Sequence, residues 1–447
     1  MERDLGYKSS PIQYDNRKSI GEKSLDFKTD ILYSYVMNNY INYDTEGLIS
    51  SLKQISENIL NNPDEKYDEI FIKELFPVLI EIANEVKDID IQAQNLRAIS
   101  NLITLINDES FLSNKKIVFD IAYQFISDSP QPIMIESLWI IFNTIDMFHN
   151  NSSIPEGLFD ILLQICNKNP EINTLTTRIM YRIAQNLDFS QIIIQMIEIC
   201  SKCLEILSIE GAMYICLVCK IFLDYDCNLI NLFQEYHIIN YLILIYKKVD
   251  FRKINDYNII HFLVLLQKIV QISTVLSVKN YVLAFEIENI CELIISKDDK
   301  ICKNALDLIL TVVDKDQSFG ISLLKQFSLI SALLNKSGIS YSMKQCILSF
   351  CFSLMELEPE QFYTELNSSR FFEDYLVFLE SDKENEIFMF LSTILNVLYI
   401  SERLDEKEIL IDVFFELGIL GKLESLSQAS NNDEIINVID QIARLLR

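Results

Sequence analysis

A repeating pattern of paired apolar helices is the feature that most constrains the fold of this chain. Short polar turns near residues 167–171, 296–300, 381–385 and 430–434 separate apolar stretches of helical periodicity, and each turn can cap the helix that follows. The helices after the turns are centred near residues 57, 100, 142, 182, 218, 266, 308, 350, 394 and 437, a period of roughly 40 residues. Because one such helical unit cannot bury its own apolar face, neighbouring units must stack. The sequence therefore predicts an all-α solenoid of about ten repeats.

Composition agrees with this class. Half of the residues are hydrophobic and 23% are charged, while 9 Gly and 8 Pro are too few for the tight turns of an all-β protein of this length. Residues 1–29 are polar with dispersed charges, so we predict a disordered N-terminal tail followed by a solenoid over residues 30–447. An extended loop is expected near residues 249–256.

Charge and cysteine usage limit the partners and the compartment. The formal net charge of -26 argues against nucleic acid or an anionic membrane as a direct partner and favours a protein or peptide partner of basic character. No apolar run is long enough to span a bilayer, and no secretory signal is visible. Ten cysteines scattered through apolar helical patterns indicate a reducing compartment. We therefore predict a cytoplasmic protein and leave shuttling to the nucleus open.

The only tryptophan of the chain, Trp139, stands one helical turn before Asn143 in an apolar helical stretch. This spacing places the indole and the carboxamide on one face of the helix. An indole can stack on the stem of a Lys or Arg, and a carboxamide can hold the backbone of an extended peptide. The alternative interpretation is a buried tryptophan beside a solvated asparagine on an ordinary helix.

This pair resembles the third helix of an importin-α-type armadillo repeat, in which a row of such pairs grips basic peptides. The segments 75–79 and 154–158 resemble the proline-containing entry to the second helix of that repeat, and Gly418 resembles the glycine kink before it. The resemblance implies a right-handed armadillo-type superhelix and, in its most specific form, an importin-α-like nuclear import adaptor that binds an extended basic segment such as a nuclear-localisation signal. A general armadillo scaffold without import activity is the alternative.

Further positions follow from the same resemblance. Arg97 and Asn101 match the Trp and Asn positions one repeat earlier, and Arg178 and Arg182 match them one repeat later. The resemblance therefore implies peptide binding by Trp139 and these four residues together with Asn143. Arg178 and Arg182 would repel a lysine-rich ligand and admit an acidic or neutral residue. Because the N-terminal segment lacks the dense basic cluster of the family, binding of importin-β in the family manner is not expected.

Catalytic and metal-binding patterns are weak in this sequence. Two Cys-x-x-Cys pairs have spacing that suits zinc, but the second lies in an apolar helical run without the tight turns that a zinc knuckle needs; they are Cys200 with Cys203 and Cys216 with Cys219. His149, His237 and His261 are isolated, and neither a glycine-rich phosphate loop nor a Gly-x-Ser-x-Gly motif is present. The sequence predicts no enzyme, no metal and no cofactor.

Overall fold

A computed structural model describes most of the chain and separates it into two compact units, Met1–Ile221 and Phe222–Arg447. The described residues are 29–61, 69–105, 112–149, 154–155, 157–186, 191–206, 208–248, 257–296, 298–326, 329–334, 339–355, 357, 359–367 and 370–446. Residues 1–28 of the predicted N-terminal tail and the predicted loop at 249–256 lie outside these residues, so both stay predictions, while Thr29, the last residue of the predicted tail, begins a helix. Within the described residues all regular structure is helical, and none of the helices is long and apolar enough to cross a membrane.

The first unit is built from helix pairs. Its helices are α1 (Thr29–Ile41), α2 (Thr45–Asn61), α3 (Glu69–Glu85), α4 (Ile89–Leu105), α5 (Leu112–Phe125), α6 (Gln131–Thr144), α7 (Leu158–Ile165), α8 (Pro170–Asn186), α9 (Ile193–Leu204) and the larger part of α10 (Ile209–Tyr225), whose last four residues belong to the second unit. A 3-10 turn, Ile145–His149, continues α6. The second helix of each of the first three pairs packs on the corresponding helix of the next pair, so that α2, α4, α6 and α8 form a ladder.

Burial explains the composition of the ladder helices. On α6 nine residues are buried, including the polar Glu136 and Ser137, because α4, α5 and α8 all pack against this helix. A helix enclosed on several sides is expected to be apolar around most of its circumference. Its half-buried positions between Ile133 and Ile145 are Trp139, Phe142 and Asn143.

The second unit repeats mainly in groups of three helices. Its helices are α11 (Ile230–Glu235), α12 (Ile238–Lys247), α13 (Tyr257–Ile272), α14 (Val275–Phe285), α15 (Ile287–Ile294), α16 (Asp299–Lys315), α17 (Gln317–Gln326), α18 (Leu329–Leu334), α19 (Tyr341–Met355), α20 (Pro359–Asn367), α21 (Phe371–Tyr375), α22 (Glu384–Arg403), α23 (Lys407–Glu416), α24 (Ile419–Ala429) and α25 (Asp433–Leu445). The long third helices α13, α16, α19, α22 and α25 pack on one another in chain order. Each of the ten predicted helix centres lies inside an observed helix, five in each unit, and the predicted α-solenoid is confirmed.

Two details of the expected armadillo repeat differ from the structure. Pro77 lies inside α3 instead of at the start of a helix, and its side chain is exposed. The carbonyl that loses its helical donor at this proline can therefore bond water, which lets the helix continue. Pro155 precedes α7, whose N-terminal cap is Gly157 with a φ of 89°.

Left-handed residues produce the kinks between short helices of the second unit. Gly418, with a φ of 66°, separates α23 from α24 as the sequence predicted. His237 and Glu286 stand at the equivalent points before α12 and α15, with φ values of 57° and 67°. The kink is thus a property of the repeat, and a glycine marks it at only one of these three places.

A buried carboxylate joins two third helices of the second unit. Glu386 on α22 is 1% exposed and accepts hydrogen bonds from Ser381 Oγ at 2.7 Å, from Lys383 Nζ at 2.8 Å and from the Tyr341 hydroxyl on α19. Burial alone would raise the pKa of this carboxyl, but these three donors outweigh it and hold the pKa below its usual range.

Candidate peptide-binding face

The half-exposed positions of the first unit's ladder helices follow one helical stripe on each helix. On α8 they are Arg178, Tyr181, Arg182 and Asn186, and on α6 they are Trp139, Phe142 and Asn143. Spacings of three and four residues place each set on one face of its helix. We call the surface formed by Arg97, Trp139, Phe142, Arg178, Arg182 and Tyr214 the aromatic–arginine face.

Arg178 lies between two aromatic rings. Its guanidinium carbon is 5.3 Å from the ring centroid of Trp139 on α6 and 5.2 Å from that of Tyr214 on α10. Both distances are within the range of a cation–π interaction. The cation that contacts Trp139 in this structure is therefore supplied by the next helix pair of the same chain.

Arg182, one turn further along α8, is paired with an acid. Its Nε donates to Asp146 Oδ1 at 2.9 Å, a second nitrogen bonds the other oxygen of that carboxylate, and the guanidinium lies 5.6 Å from the Phe142 centroid. Asn186 also donates to Asp146, at 2.9 Å. These side chains border an open cleft of about 500 Å³, lined by Asp146, Arg182, Ala184, Gln185, Asn186 and Ile221.

The two candidate asparagines bond the preceding ladder helix. Asn143 Nδ2 donates to the carbonyl oxygen of Ser100 at 3.3 Å and to its Oγ at 3.1 Å. Asn101 Nδ2 donates to the carbonyl oxygen of Ser56 at 3.3 Å, and Asn101 is 6% exposed. The amide donors thus link successive ladder helices, and Asn143, which is half-buried, offers a ligand more surface than Asn101 does.

Arg97 on α4 forms an ion pair with Glu136 on α6. Its Nε donates to Glu136 Oε1 at 2.8 Å, and the Glu136 side chain is 6% exposed while that of Arg97 is 28% exposed. In the structure, Arg97 therefore has a partner within the ladder. Peptide binding by this residue stays a prediction.

The structure brings four of the six predicted residues into one patch across α6 and α8: Trp139, Asn143, Arg178 and Arg182. Sequence reasoning did not single out the acids Glu136 and Asp146 or the ring of Phe142. A signal for the acids was available, because each lies 36 to 39 residues from its arginine, close to one repeat period. Opposite charges one period apart on predicted ladder helices indicate such pairs.

The cysteines are placed as apolar side chains of the core. Cys200, Cys203, Cys216 and Cys219 on α9 and α10 are at most 1% exposed. Burial raises the pKa of the Cys200 thiol to about 12. Among the described residues no group of three or more His, Cys, Asp or Glu side chains could hold a metal ion.

The three histidines lie on separate elements of the chain. His237 is the exposed residue at the kink before α12, and burial lowers the pKa of His261 on α13. His149 ends the 3-10 turn after α6.

Comparison with known proteins shows the fold. No family model and no curated protein matches the sequence. An engineered protein solved by the Northeast Structural Genomics Consortium is similar at a TM-score of 0.61 and 13% identity, over 94% of this chain and 98% of its own. A chain from the structure of Kap95p bound to RanGDP matches with a TM-score of 0.54 and 13% identity, over 93% of this chain. UNC-45 from Drosophila melanogaster matches with a TM-score of 0.50 and 10% identity, over 94% of this chain.

This chain spans 55% of the matched chain in the Kap95p structure and 57% of UNC-45. At these identities the likeness concerns the fold alone. The chain is a helical-repeat α-solenoid, a fold typical of protein-interaction scaffolds.

Proposed function

We propose that this chain is a non-enzymatic protein-binding scaffold that holds an extended segment of a partner protein on the aromatic–arginine face. The observation that supports this most is the guanidinium of Arg178 between the half-exposed rings of Trp139 and Tyr214. Tryptophan, tyrosine and arginine are the residue types most enriched at the energetic centres of protein interfaces. The open cleft beside Arg182 gives a bound segment room to continue along the face.

The more specific form of the proposal is an importin-α-like adaptor that binds a basic nuclear-localisation segment in the cytoplasm and carries it to the nucleus. Its support is the placement of Trp139 and Asn143 on the same half-buried stripe of α6. A ligand lysine would have to bind the side of the indole opposite Arg178 or displace that arginine. A general scaffold has no such requirement, and the geometry favours it.

Site-specific photo-cross-linking tests the general proposal. Peptides are first selected from a random-peptide display library on the full chain. Gln185, which lines the cleft, is then replaced by a photoreactive benzophenone residue; a control variant carries it at the exposed Gln428 of α24. We expect selected peptides to cross-link to the first variant and not to the control. Equal cross-linking of both variants, or of neither, would show that this face is not the binding surface.

A lysine-rich nuclear-signal peptide tests the import form. Its affinity for the full chain is measured by fluorescence anisotropy and compared with that of a lysine-to-glutamine version. A desolvated cation–π contact contributes roughly 2 kcal/mol, so Trp139→Ala should weaken binding of the lysine peptide by about tenfold or more. If neither the lysine-to-glutamine change in the peptide nor Trp139→Ala alters the affinity, the import form is contradicted and the general scaffold remains.

A further inference from the structure

Arg178 differs from the other arginines of the face because no acid accompanies it. Arg97 is paired with Glu136 and Arg182 with Asp146, whereas no carboxylate among the described residues lies within ion-pair distance of Arg178. Asp146 is already bonded by both Arg182 and Asn186. The charge of Arg178 is therefore contacted by the faces of two rings and by no anion of the described structure.

The free donors of Arg178 point to a particular approach. Its Nε is buried and has no hydrogen-bond partner in the described structure, while the terminal Nη1 and Nη2 are not enclosed in this way and also lack a partner there. Because the rings of Trp139 and Tyr214 lie close to the guanidinium and its Nε is buried, a ligand reaches this group at its terminal nitrogens. Two parallel N–H groups of these nitrogens match the two oxygens of a carboxylate.

We propose that Arg178 binds the side-chain carboxylate of an Asp or Glu in the extended partner segment, end-on through Nη1 and Nη2. The inference rests on the proposed function and adds the chemical class of the residue recognised. The two rings hold the guanidinium in place before the ligand arrives, so less side-chain freedom is lost on binding. The expected occupant of this position is thus acidic, although the chain as a whole carries a net charge of -26.

The negative charge of the whole chain gives this interaction a distinctive salt dependence. Long-range repulsion between the chain and an acidic peptide is screened by salt, whereas the contact between Arg178 and its carboxylate is part-buried and is screened less. Affinity should therefore change little, or rise, when salt is added. Binding of a basic peptide to the same chain would weaken steadily under these conditions.

A double-mutant cycle on the full chain tests the contact. Peptides selected from the random library serve as probes, each compared with the version in which its conserved acid is changed from Glu to Gln. With the natural chain this change should weaken binding roughly ten- to one-hundredfold, the effect of a hydrogen-bonded charge. With Arg178→Gln it should have almost no effect. Arg178→Lys should recover only part of the affinity, because an ammonium group cannot make the paired contact.

Controls separate a local effect from loss of the fold. Arg444→Gln removes the same charge from an exposed position on α25 and should leave the carboxylate dependence unchanged. Circular dichroism and the emission of Trp139 report whether each variant is folded. Selected peptides without a required acid, or losses that simply add between peptide and protein, would overturn the inference while leaving the proposed binding face intact. Failure to select peptides that depend on this face would overturn both.

Discussion

The ion pair between Arg97 and Glu136 gives a sharp prediction about stability. Replacing Arg97 by Met keeps a long apolar stem but removes the charge that faces the buried carboxylate of Glu136. We expect Arg97→Met to lower the free energy of unfolding of the first unit, even though a match to the importin-α pattern alone would assign this residue to ligand binding.

The magnitude follows from the burial of the two side chains. Removing one partner of a fully buried pair costs about 3–5 kcal/mol, because the other charge is left in a poorly solvated site. Glu136 is 6% exposed but Arg97 is 28% exposed, so water reaches the arginine end of the pair. We therefore expect a cost of about 2 kcal/mol for Arg97→Met. Glu136→Gln should cost about 1 kcal/mol, since the remaining arginine can be solvated.

Urea unfolding followed by Trp139 emission measures this cost locally, because the single tryptophan lies one turn from Glu136 on α6. The double variant should lose less stability than the sum of the two single losses, by about 1 kcal/mol. Lys53→Met is the matched control: its pair with Glu57 is exposed, so its loss should stay within about 0.5 kcal/mol. An Arg97→Met variant as stable as the control, or strictly additive losses, would refute the reasoning.

Three further predictions concern backbone strain, acid sensitivity and thiol access. In the second unit, His237→Gly should raise the free energy of unfolding by about 0.5–1 kcal/mol, because glycine tolerates positive φ. Gly418→Ala should lower it by about 1 kcal/mol for the same reason. Opposite shifts in melting temperature would contradict this prediction. The pKa of the Glu386 carboxyl is lowered in the fold, so this carboxylate stabilises the fold above the unfolded pKa of about 4.3. The difference in stability between the natural chain and Glu386→Gln should therefore shrink as the pH falls below that value. A difference that does not change with pH would argue against this prediction. A thiol reagent should label the exposed Cys227 in the native protein but reach the buried Cys219 only on unfolding, and mass spectrometry measures this labelling. The Cys227→Ser variant should lose the label that the native protein takes up at this position.

The repeat positions could be predicted from sequence because burial leaves a periodic trace. A ladder helix is apolar where it contacts its neighbours, so the ten centres were visible as apolar stretches after polar turns. The number of helices per repeat was harder to predict, since a short helix and a kink leave little periodicity. Gly418 indicates its kink in the sequence, whereas His237 and Glu286 also have positive φ values but carry side chains that do not favour them.

The candidate face was predicted in part for a related reason. The spacing of Trp139 and Asn143 places them on one stripe whatever the fold, because it is a property of one helix. Which cation faces the indole depends on how α6, α8 and α10 pack, and sequence alone does not give that register. The arginine at 178 was expected to act on a ligand, and its contact with Trp139 and Tyr214 became visible only in three dimensions.

Trp139 also supplies the most direct test of the central claim that the aromatic–arginine face binds partner segments. Peptides selected on the full chain are titrated while the emission of this single tryptophan is followed, and their binding is measured independently by the anisotropy of a label on the peptide. We predict a saturable change in Trp139 emission with the same midpoint as the anisotropy change. Peptides that bind by anisotropy while Trp139 emission stays constant would place the binding surface elsewhere on the chain and contradict the claim.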